Sequence, residues 1–355
     1  MTQPEKEVRF GRLASEIPEQ KIDWIARHRI ARGKIQEVTG DPAVNKTTYC
    51  IDLAAKITTG GSLPDGQVLS AGPIIYLSAE DDDADTLVPR FRVAGAKMNI
   101  ARILPAQVMV SAGEMPLYFP EQIKRIEKEI VLDGAVAFFI DPFAAFLGEQ
   151  TDSHNDASVR RALLPLRALA ERTRCAIVMI RHLNKMSGVD RALYRAGGSI
   201  AFTAAVRLSY LLALDPTDKS PEAERRRILA CVKSNIGPKP SSLAFRVRAE
   251  DDEPPHIEWI DGSSSLTADD LLRVHHERKA EAMDEAVAFL EDELKLGARP
   301  TEEVEQHARD LRISDRTLIR ARKKLDVRAF KKGFGGDWFL SFPATPDEFT
   351  PEERE

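Results

Sequence analysis

The chain has 355 residues, of which 43% are hydrophobic and 30% are charged, and its formal net charge is −5. A chain of this size can bury one substantial core and still form a second, smaller module. The acidic balance excludes a uniformly basic coat for nucleic acid, so we expect any contact with a polyanion to be local.

The sequence carries no sign of secretion or of membrane insertion. Its first twelve residues are polar, and no apolar run approaches the roughly 18 residues that a membrane helix needs. The three cysteines, Cys50, Cys175 and Cys231, each lie in an apolar run, and none belongs to a CxxC pair. We therefore expect a cytoplasmic protein with reduced cysteines and no membrane partner.

The first motif is a loop between a predicted strand and a predicted helix. An extended segment, a Gly/Pro turn and a Lys-Thr pair that opens an apolar helix are the layout of a phosphate-binding loop. Backbone N–H groups and the helix N-terminus attract anionic oxygens there, so the sequence predicts a bound nucleotide. The residues of this loop are Gly40, Asp41, Pro42, Ala43, Val44, Asn45, Lys46, Thr47 and Thr48.

This loop departs from the usual pattern directly before the lysine, where Asn45 replaces a glycine. The glycine normally leaves the backbone bare over the phosphates, often at positive φ. Asparagine is the residue other than glycine that best tolerates such a φ, but its carboxamide still needs room. We expect a nucleotide to bind with a strength that depends on how this side chain is accommodated.

Three further strands are predicted to end in polar residues. Buried runs at residues 73–80, 136–141 and 175–182 end in Glu80, Asp141 and His182, and helical patterns separate them. This alternation predicts a parallel, doubly wound sheet, in which the carboxyl ends of the strands meet at one edge. The predicted helices cover residues 47–58, 87–94, 121–131 and 159–173, and short strands at 208–214, 228–233, 243–247 and 257–260 predict an antiparallel extension.

Each of these polar residues also has a purely structural interpretation. Glu80 fits a helix cap or a solvated acidic turn, and Asp141 fits a strand cap. His182 fits the satisfied polar end of a core strand. Arg207, at a predicted helix–strand junction, fits an ordinary ion-pair partner.

The motifs GDPxxxKTT, YLSAEDD, FIDP, RHLNK, YRAGGSIAFTAAVR and KSN follow one another in this order. The order resembles that of the RecA-like hexameric ATPases of the plasmid RepA helicase type, relatives of the DnaB core, over about residues 20–260. The resemblance implies ATP and Mg²⁺ as cofactors and a homo-oligomeric ring that acts on DNA. It also makes Ala43 a mild departure from the family pattern and Asn45 a serious one.

The same resemblance implies a role for each motif residue. Lys46 would contact the β and γ phosphates, while Thr47 and Asp141 would hold Mg²⁺. By the same resemblance, Glu80 would orient the attacking water, His182 would sense the γ phosphate, and Arg195 or Arg207 would reach a neighbouring subunit's nucleotide as an arginine finger. Arg195 is the favoured finger because the glycines beside it indicate a mobile, exposed loop.

The remaining sequence predicts a second module. We expect a lead-in at 1–33, the ATPase core at 34–262, a connecting helix at 263–280, a small domain at 281–343 and a polar tail at 344–355. Helices at 283–295, 301–311 and 314–325, followed by a glycine-tipped hairpin, resemble a winged helix-turn-helix.

The charge of this module indicates nucleic-acid binding. Residues 309–332 contain ten Lys/Arg against three Asp, a local +7. These side chains could neutralise phosphates and enter the major groove of DNA. The alternative is a module that contacts protein and leaves its charges in solvent. The candidate DNA-binding residues are Arg316, Arg320, Arg322, Lys323, Lys324, Lys331 and Lys332.

Together these features predict an α/β protein with a RecA-like P-loop core, a mainly parallel sheet and a C-terminal winged helix. We expect an ATPase that acts on DNA in the replication of a mobile element, as a helicase or its loader. Two alternatives stay open. One is a nucleotide-gated DNA-binding regulator that hydrolyses ATP poorly because of Asn45, and the other is an inactive scaffold.

Overall fold

The computed structural model describes residues 11–110, 113–148, 151, 155–183, 200–249, 253–311, 313–331 and 337–343. The chain divides into two compact units, Met1–Leu271 and Leu272–Glu355. Arg195, Lys332 and the predicted tail at 344–355 lie outside the described residues. Within the described part, no helix combines the length and the apolar character that crossing a bilayer requires.

The first unit is built on one large sheet and the helices that cover it. Its strands are β1 (Trp24–Ala26), β2 (Ile30–Ala31), β3 (Ile35–Gly40), β4 (Ile74–Ser78), β5 (Ala101–Leu104), β6 (Gln107–Val110), β7 (Gly113–Pro116), β8 (Ala137–Asp141), β9 (Ala176–His182), β10 (Leu208–Leu214), β11 (Arg227–Ser234), β12 (Ser242–Arg248) and β13 (His256–Ser264). Its helices are α1 (Lys46–Thr59), α2 (Val88–Val93), α3 (Ile123–Asp133), α4 (Asp156–Thr173) and α5 (Ile200–Ala205), with a π-helical turn at Asp83–Leu87.

Nine strands form the central sheet in the order β13-β12-β11-β10-β3-β9-β8-β4-β5. The strands from β10 to β5 all pair in parallel, whereas β11, β12 and β13 add to β10 as antiparallel strands. The predicted parallel sheet with an antiparallel extension is therefore confirmed. β4 and β8 are buried along their whole length, as expected for parallel strands covered on both faces.

Alternate side chains of the parallel strands enter two separate hydrophobic cores. Tyr76 of β4 packs with α1 on one face of the sheet, whereas Leu77 packs with α3 and α4 on the other. This alternation follows from the two-residue period of a strand. The result is a three-layer arrangement that fixes the strand ends on which the loops stand.

The helix boundaries differ from those predicted, for local reasons. α3 begins at Ile123 and ends at Asp133, where Gly134 adopts a left-handed conformation that stops the helix. α4 begins at Asp156, earlier than predicted, because the Asn155 side chain accepts hydrogen bonds from the backbone N–H groups of the first turn. The hairpin of β1 and β2, the strand β5 and the hairpin of β6 and β7 were not predicted at all.

The described residues of the second unit form three helices and a small sheet. Its elements are α6 (Ala268–Leu294, which begins in the first unit), β14 (Arg299–Pro300), α7 (Thr301–Asp310), α8 (Asp315–Lys324), β15 (Arg328–Lys331) and β16 (Trp338–Ser341). The strands pair in the order β14-β16-β15, and Leu290, Val304, Leu318 and Leu340 lie in one buried core.

One expectation about this unit is wrong. The predicted connecting helix and the first predicted helix of the module are a single helix, α6. The junction between them reads Ala280-Glu281-Ala282, and these strong helix formers provide no signal to stop. The designation of this unit as a winged helix stays a prediction.

Candidate functional site

The loop after β3 leaves the sheet where only glycine fits. A Cβ on Gly40 would lie 2.4 Å from the Leu212 carbonyl oxygen and 2.9 Å from Val44 Cγ2. Both distances are shorter than any normal contact of a carbon atom, so a larger residue would displace β10 or the loop. Gly40 therefore sets the close approach of the loop to the strand beside it.

Two residues of the loop adopt left-handed conformations, Ala43 at φ +64° and Asn45 at φ +67°. Turns of this kind gather successive N–H groups into a concavity that binds anions. Alanine pays about 1 kcal/mol or more for this conformation. The sequence indicated a mild departure at Ala43. The structure shows a more serious one, because Ala43 places a Cβ at a position that favours glycine.

Asn45 immediately precedes α1 and its carboxamide is poorly satisfied. The side chain makes no capping hydrogen bond, and Oδ1 is buried with no hydrogen-bond partner among the described residues. An unpaired buried acceptor costs free energy. The loop thus accommodates the backbone of Asn45 but not its side-chain oxygen.

Lys46 is held inside the same loop. Its Nζ donates hydrogen bonds to the carbonyl oxygens of Gly40 at 3.1 Å and Asp41 at 2.7 Å. Burial lowers the pKa of the Lys46 ammonium, and the carboxylates of Asp141, Asp41 and Glu80 oppose that shift. A cation fixed on a loop of N–H groups is a suitable partner for phosphate oxygens.

Asp141 ends β8 beside the start of α1. It is 4% exposed, and its carboxylate accepts hydrogen bonds from the Thr47 hydroxyl and from the Tyr76 hydroxyl, the latter at 2.9 Å. Burial raises the pKa of Asp141 to about 6, and these two hydrogen bonds limit the rise. A hydroxyl and a carboxylate at one point supply the oxygen ligands that Mg²⁺ prefers, so these residues fit a magnesium site that Thr47 and Asp141 would hold.

Glu80 and His182 lie at the same edge of the sheet. His182 is the last residue of β9 and pairs with Gly40. Burial and the nearby charge of Lys46 lower the pKa of His182, and Glu80 opposes the shift. Glu80 is exposed and follows the end of β4 by two residues. The carboxyl ends of β3, β4, β8 and β9 thus bring together the loop and the polar residues that were predicted to meet there.

Arg207 lies at the opposite edge of the sheet. Its backbone N–H donates to the Ile35 carbonyl at the first residue of β3, and Leu208 pairs with Gln36. At about 3.3 Å per residue, the five steps from Ile35 to Gly40 span about 17 Å, which is too far for an arginine side chain. Within the described residues the Arg207 guanidinium has no hydrogen-bond partner.

A buried polar network, which the sequence reasoning missed, connects these two edges. Glu37, in the middle of β3, is fully buried and accepts hydrogen bonds from Arg181 at 2.8 Å, Thr203 at 2.9 Å and Ser209 at 2.8 Å. A carboxylate inside an otherwise buried strand was the available signal, because a buried charge is rarely left unpaired.

Lys233 lies next to this network at the end of α5. Its Nζ donates to the carbonyl oxygens of Thr203, Ala204 and Val206 at 2.7 to 3.1 Å. Cations are favourable at a helix C-terminus, so Lys233 satisfies the last carbonyls of α5. These hydrogen bonds hold the side chain at the end of α5 and not at the phosphate loop of its own chain.

The structure divides the candidate DNA-binding residues of the second unit into two groups. Arg322 Nη1 lies 3.7 Å from Glu305 Oε1, and Lys324 Nζ lies 3.6 Å from Asp284 Oδ1, so both cations have acidic partners. A second group is exposed and has no salt bridge within the described part of the chain. It comprises Arg316, Arg320, Lys323 and Lys331.

Comparison with known families agrees with this geometry. The family model of the AAA domain matches residues 2–188. The match spans more than half of the chain, and it includes the loop, Glu80, Asp141 and His182.

Proposed function

The chain belongs to the AAA domain family of P-loop ATPases, and we propose that it binds and hydrolyses ATP with Mg²⁺ as an oligomer that acts on DNA. The observation that carries this proposal is the convergence of Lys46, Thr47, Asp141 and His182 on one edge of the parallel sheet. Such an edge, with a phosphate-binding loop opening a helix, suits a nucleoside triphosphate.

Each residue at this edge has a distinct task in the proposal. The loop N–H groups, the N-terminus of α1 and Lys46 bind the phosphates. Thr47 and Asp141 hold Mg²⁺, which when bound supplies neutralising charge at the phosphates. Glu80, exposed at the mouth of the site, orients the attacking water, and His182 contacts the γ phosphate.

Hydrolysis is proposed to need a second copy of the chain. Arg207 is about 17 Å along β3 from the loop of its own chain, at 3.3 Å per residue, and its guanidinium has no partner among the described residues. An oligomer that places this edge against the loop edge of the next copy would give each nucleotide an arginine finger. The resemblance to hexameric ATPases supports a ring, and Arg195 is the other candidate finger.

The second unit is proposed to be a winged helix that binds DNA. Its order of helices and strands, with a three-stranded sheet packed on three helices, suits that fold. The exposed cations Arg316, Arg320 and Lys323, which form no salt bridge with the described residues, lie on α8. This third helix corresponds to the recognition helix of such modules. A helicase or a helicase loader is the function that combines the two units most simply.

One assay with a matched control tests the proposal. We expect ATP turnover that single-stranded DNA stimulates, and we expect Lys46→Ala to abolish Mg·ATP binding because the loop loses its cation. Lys124→Ala, which removes an exposed lysine on α3, should leave both properties unchanged. Equal ATP affinity in Lys46→Ala and the parent would contradict the nucleotide site, whereas a parent that binds no nucleotide would leave the scaffold interpretation.

A second function is favoured by one specific observation. The buried Oδ1 of Asn45, which has no hydrogen-bond partner among the described residues, lies in the loop that would hold the phosphates. Because Oδ1 is itself an acceptor, it repels the anionic oxygens of a phosphate. A nucleotide-gated DNA-binding regulator would bind ATP and turn it over slowly. Measurable nucleotide binding with negligible turnover, with or without DNA, would support this function over the motor.

A further inference from the structure

The exposed face of α8 carries an apolar side chain. Ile319 is 61% exposed, although isoleucine is among the residues most often buried. Its neighbours Leu318 and Ala321 are buried in the core of the second unit, so the orientation of the helix is fixed. A single exposed apolar residue is common in proteins, and its surroundings decide whether it indicates a binding surface.

Those surroundings are basic. Arg316, Arg320 and Lys323 lie three residues before, one after and four after Ile319, and all are exposed without a salt bridge within the described residues. Residues three or four apart share a helix face, so Arg316 and Lys323 flank Ile319 along the axis. From Arg316 to Lys323 the helix rises by about 10 Å. Asp315, in the first turn, is the single acidic residue of α8.

Duplex DNA is the occupant that this face fits. The major groove is about 12 Å wide, admits one α-helix and is bordered by phosphates on both walls. Cations at both ends and along one side of the face suit those phosphates or the guanine edges. An apolar side chain between them has one apolar partner in the groove, the 5-methyl group of thymine.

We propose that Ile319 recognises the 5-methyl group of a thymine in the major groove, while Arg316, Arg320 and Lys323 hold the duplex around it. This inference rests on the proposed DNA-binding role of the second unit and adds a sequence preference to it. The preference comes from desolvating an apolar contact, whereas the cations supply most of the affinity.

The test uses the full-length protein and a base that lacks only the methyl group. A preferred duplex is selected from a randomised pool, and each thymine in it is then replaced in turn by deoxyuridine. We expect one replacement to weaken binding about three- to tenfold, because a buried methyl contact is lost. In Ile319→Ala the thymine and uracil duplexes should bind equally, whereas Ile319→Val should keep part of the difference.

Leu311→Ala is the matched control, because Leu311 is 65% exposed and lies outside α8. Leu311→Ala should discriminate thymine from uracil as the parent does. Both Leu311→Ala and Ile319→Ala should keep the parent's Tm. Two results would overturn the role of Ile319 and leave the DNA-binding function intact. One is salt-dependent duplex binding that no deoxyuridine replacement weakens, and the other is an Ile319→Ala protein that loses as much affinity on deoxyuridine replacement as the parent does. The absence of duplex binding at low salt would instead overturn the proposed DNA-binding function itself.

Discussion

The Arg181 guanidinium donates a hydrogen bond of 2.8 Å to the Glu37 carboxylate on the neighbouring central strand. The two side chains are 5% and 0% exposed, and the guanidinium carbon of Arg181 lies 3.7 Å from the centre of the Phe202 ring. Arg181 belongs to β9, which ends in His182 at the phosphate loop, whereas Phe202 belongs to α5. The ion pair thus connects a strand of the nucleotide site to the helix that precedes Arg207.

Removing one partner of this pair should destabilise the first unit strongly. We expect Arg181→Met to lower the free energy of unfolding by about 3 to 5 kcal/mol, because it leaves the Glu37 charge buried and uncompensated. Adding Glu37→Gln should restore part of the loss, since the amide oxygen still accepts from Thr203 and Ser209. Urea denaturation measures both, and a loss below about 1 kcal/mol in the single variant would contradict the strength assigned to the pair.

The sheet edge could be predicted from the sequence because its signals are local. A short run of buried residues that ends in a polar residue indicates where a parallel strand stops, and β8 with Asp141 follows that pattern. The partners of Glu37 could not be identified from the sequence, since they lie 144 to 172 positions away along the chain. β5 was missed for another reason, because its short, half-exposed sequence lacks a clear period.

The conformational strain at Ala43 could not be predicted from the sequence either. The sequence shows that Ala43 and Asn45 stand where related loops have glycine, but only the folded backbone shows that Ala43 adopts φ +64°. Both residues have positive φ, which asparagine tolerates better than alanine, and Asn45 also leaves its Oδ1 buried without a hydrogen-bond partner among the described residues.

Replacing Asn45 by glycine should strengthen nucleotide binding or turnover. The change keeps the left-handed conformation accessible and removes the buried, unpaired Oδ1 from the loop. ATP titration and steady-state hydrolysis measure the effect, with Asn155→Gly, at the N-cap of α4, as an amide-to-glycine control outside the loop. If Asn45→Gly lowers both properties, the carboxamide is an adapted ligand of the nucleotide and our account of the departure is wrong.

Replacing Ala43 by glycine should instead act on stability. Glycine adopts φ +64° without a Cβ penalty, so we expect the free energy of unfolding to rise by up to about 1 kcal/mol. The entropy that glycine adds to the unfolded chain offsets part of this gain. A clear loss of stability in chemical denaturation would show that the Cβ of Ala43 makes contacts worth more than the strain.

Asp52 should make stability depend on pH. It lies on α1, accepts a hydrogen bond of 2.9 Å from Trp259 Nε1, and burial raises its pKa from 3.8 to about 6. The folded chain therefore binds more protons than the unfolded chain between about pH 4 and pH 6, so the contribution of Asp52 to stability falls as pH rises through that window. This difference in pKa corresponds to about 3 kcal/mol at neutral pH.

The variant Asp52→Asn isolates that contribution. Asparagine keeps an acceptor for the Trp259 indole and cannot ionise, so its advantage over the parent should be near zero at about pH 4 and reach about 2 to 3 kcal/mol by about pH 8. Denaturation curves of both proteins at several pH values measure the difference. An offset that does not change with pH would show that Asp52 titrates in its ordinary range.

Mixing two inactive variants tests the proposed subunit interface. Arg207→Ala should lower hydrolysis by about 10³-fold or more while leaving ATP affinity nearly unchanged, because an arginine finger acts on the transition state. Glu80→Gln should also be inactive, through loss of the carboxylate that orients the water. In a mixed oligomer, the loop edge of an Arg207→Ala chain can face the Arg207 edge of a Glu80→Gln chain, and that interface is complete.

We therefore expect the mixture to recover a fraction of the parent's hydrolysis that depends on the mixing ratio and is highest near equal amounts. Arg92→Ala, which removes an exposed arginine of α2, is the charge-matched control and should stay active by itself. A full loss of ATP affinity in Arg207→Ala would assign the residue to folding or to binding in its own chain. A mixture that stays inactive although the chains co-assemble would exclude Arg207, and the same experiment with Arg195→Ala would then decide whether that residue supplies the finger.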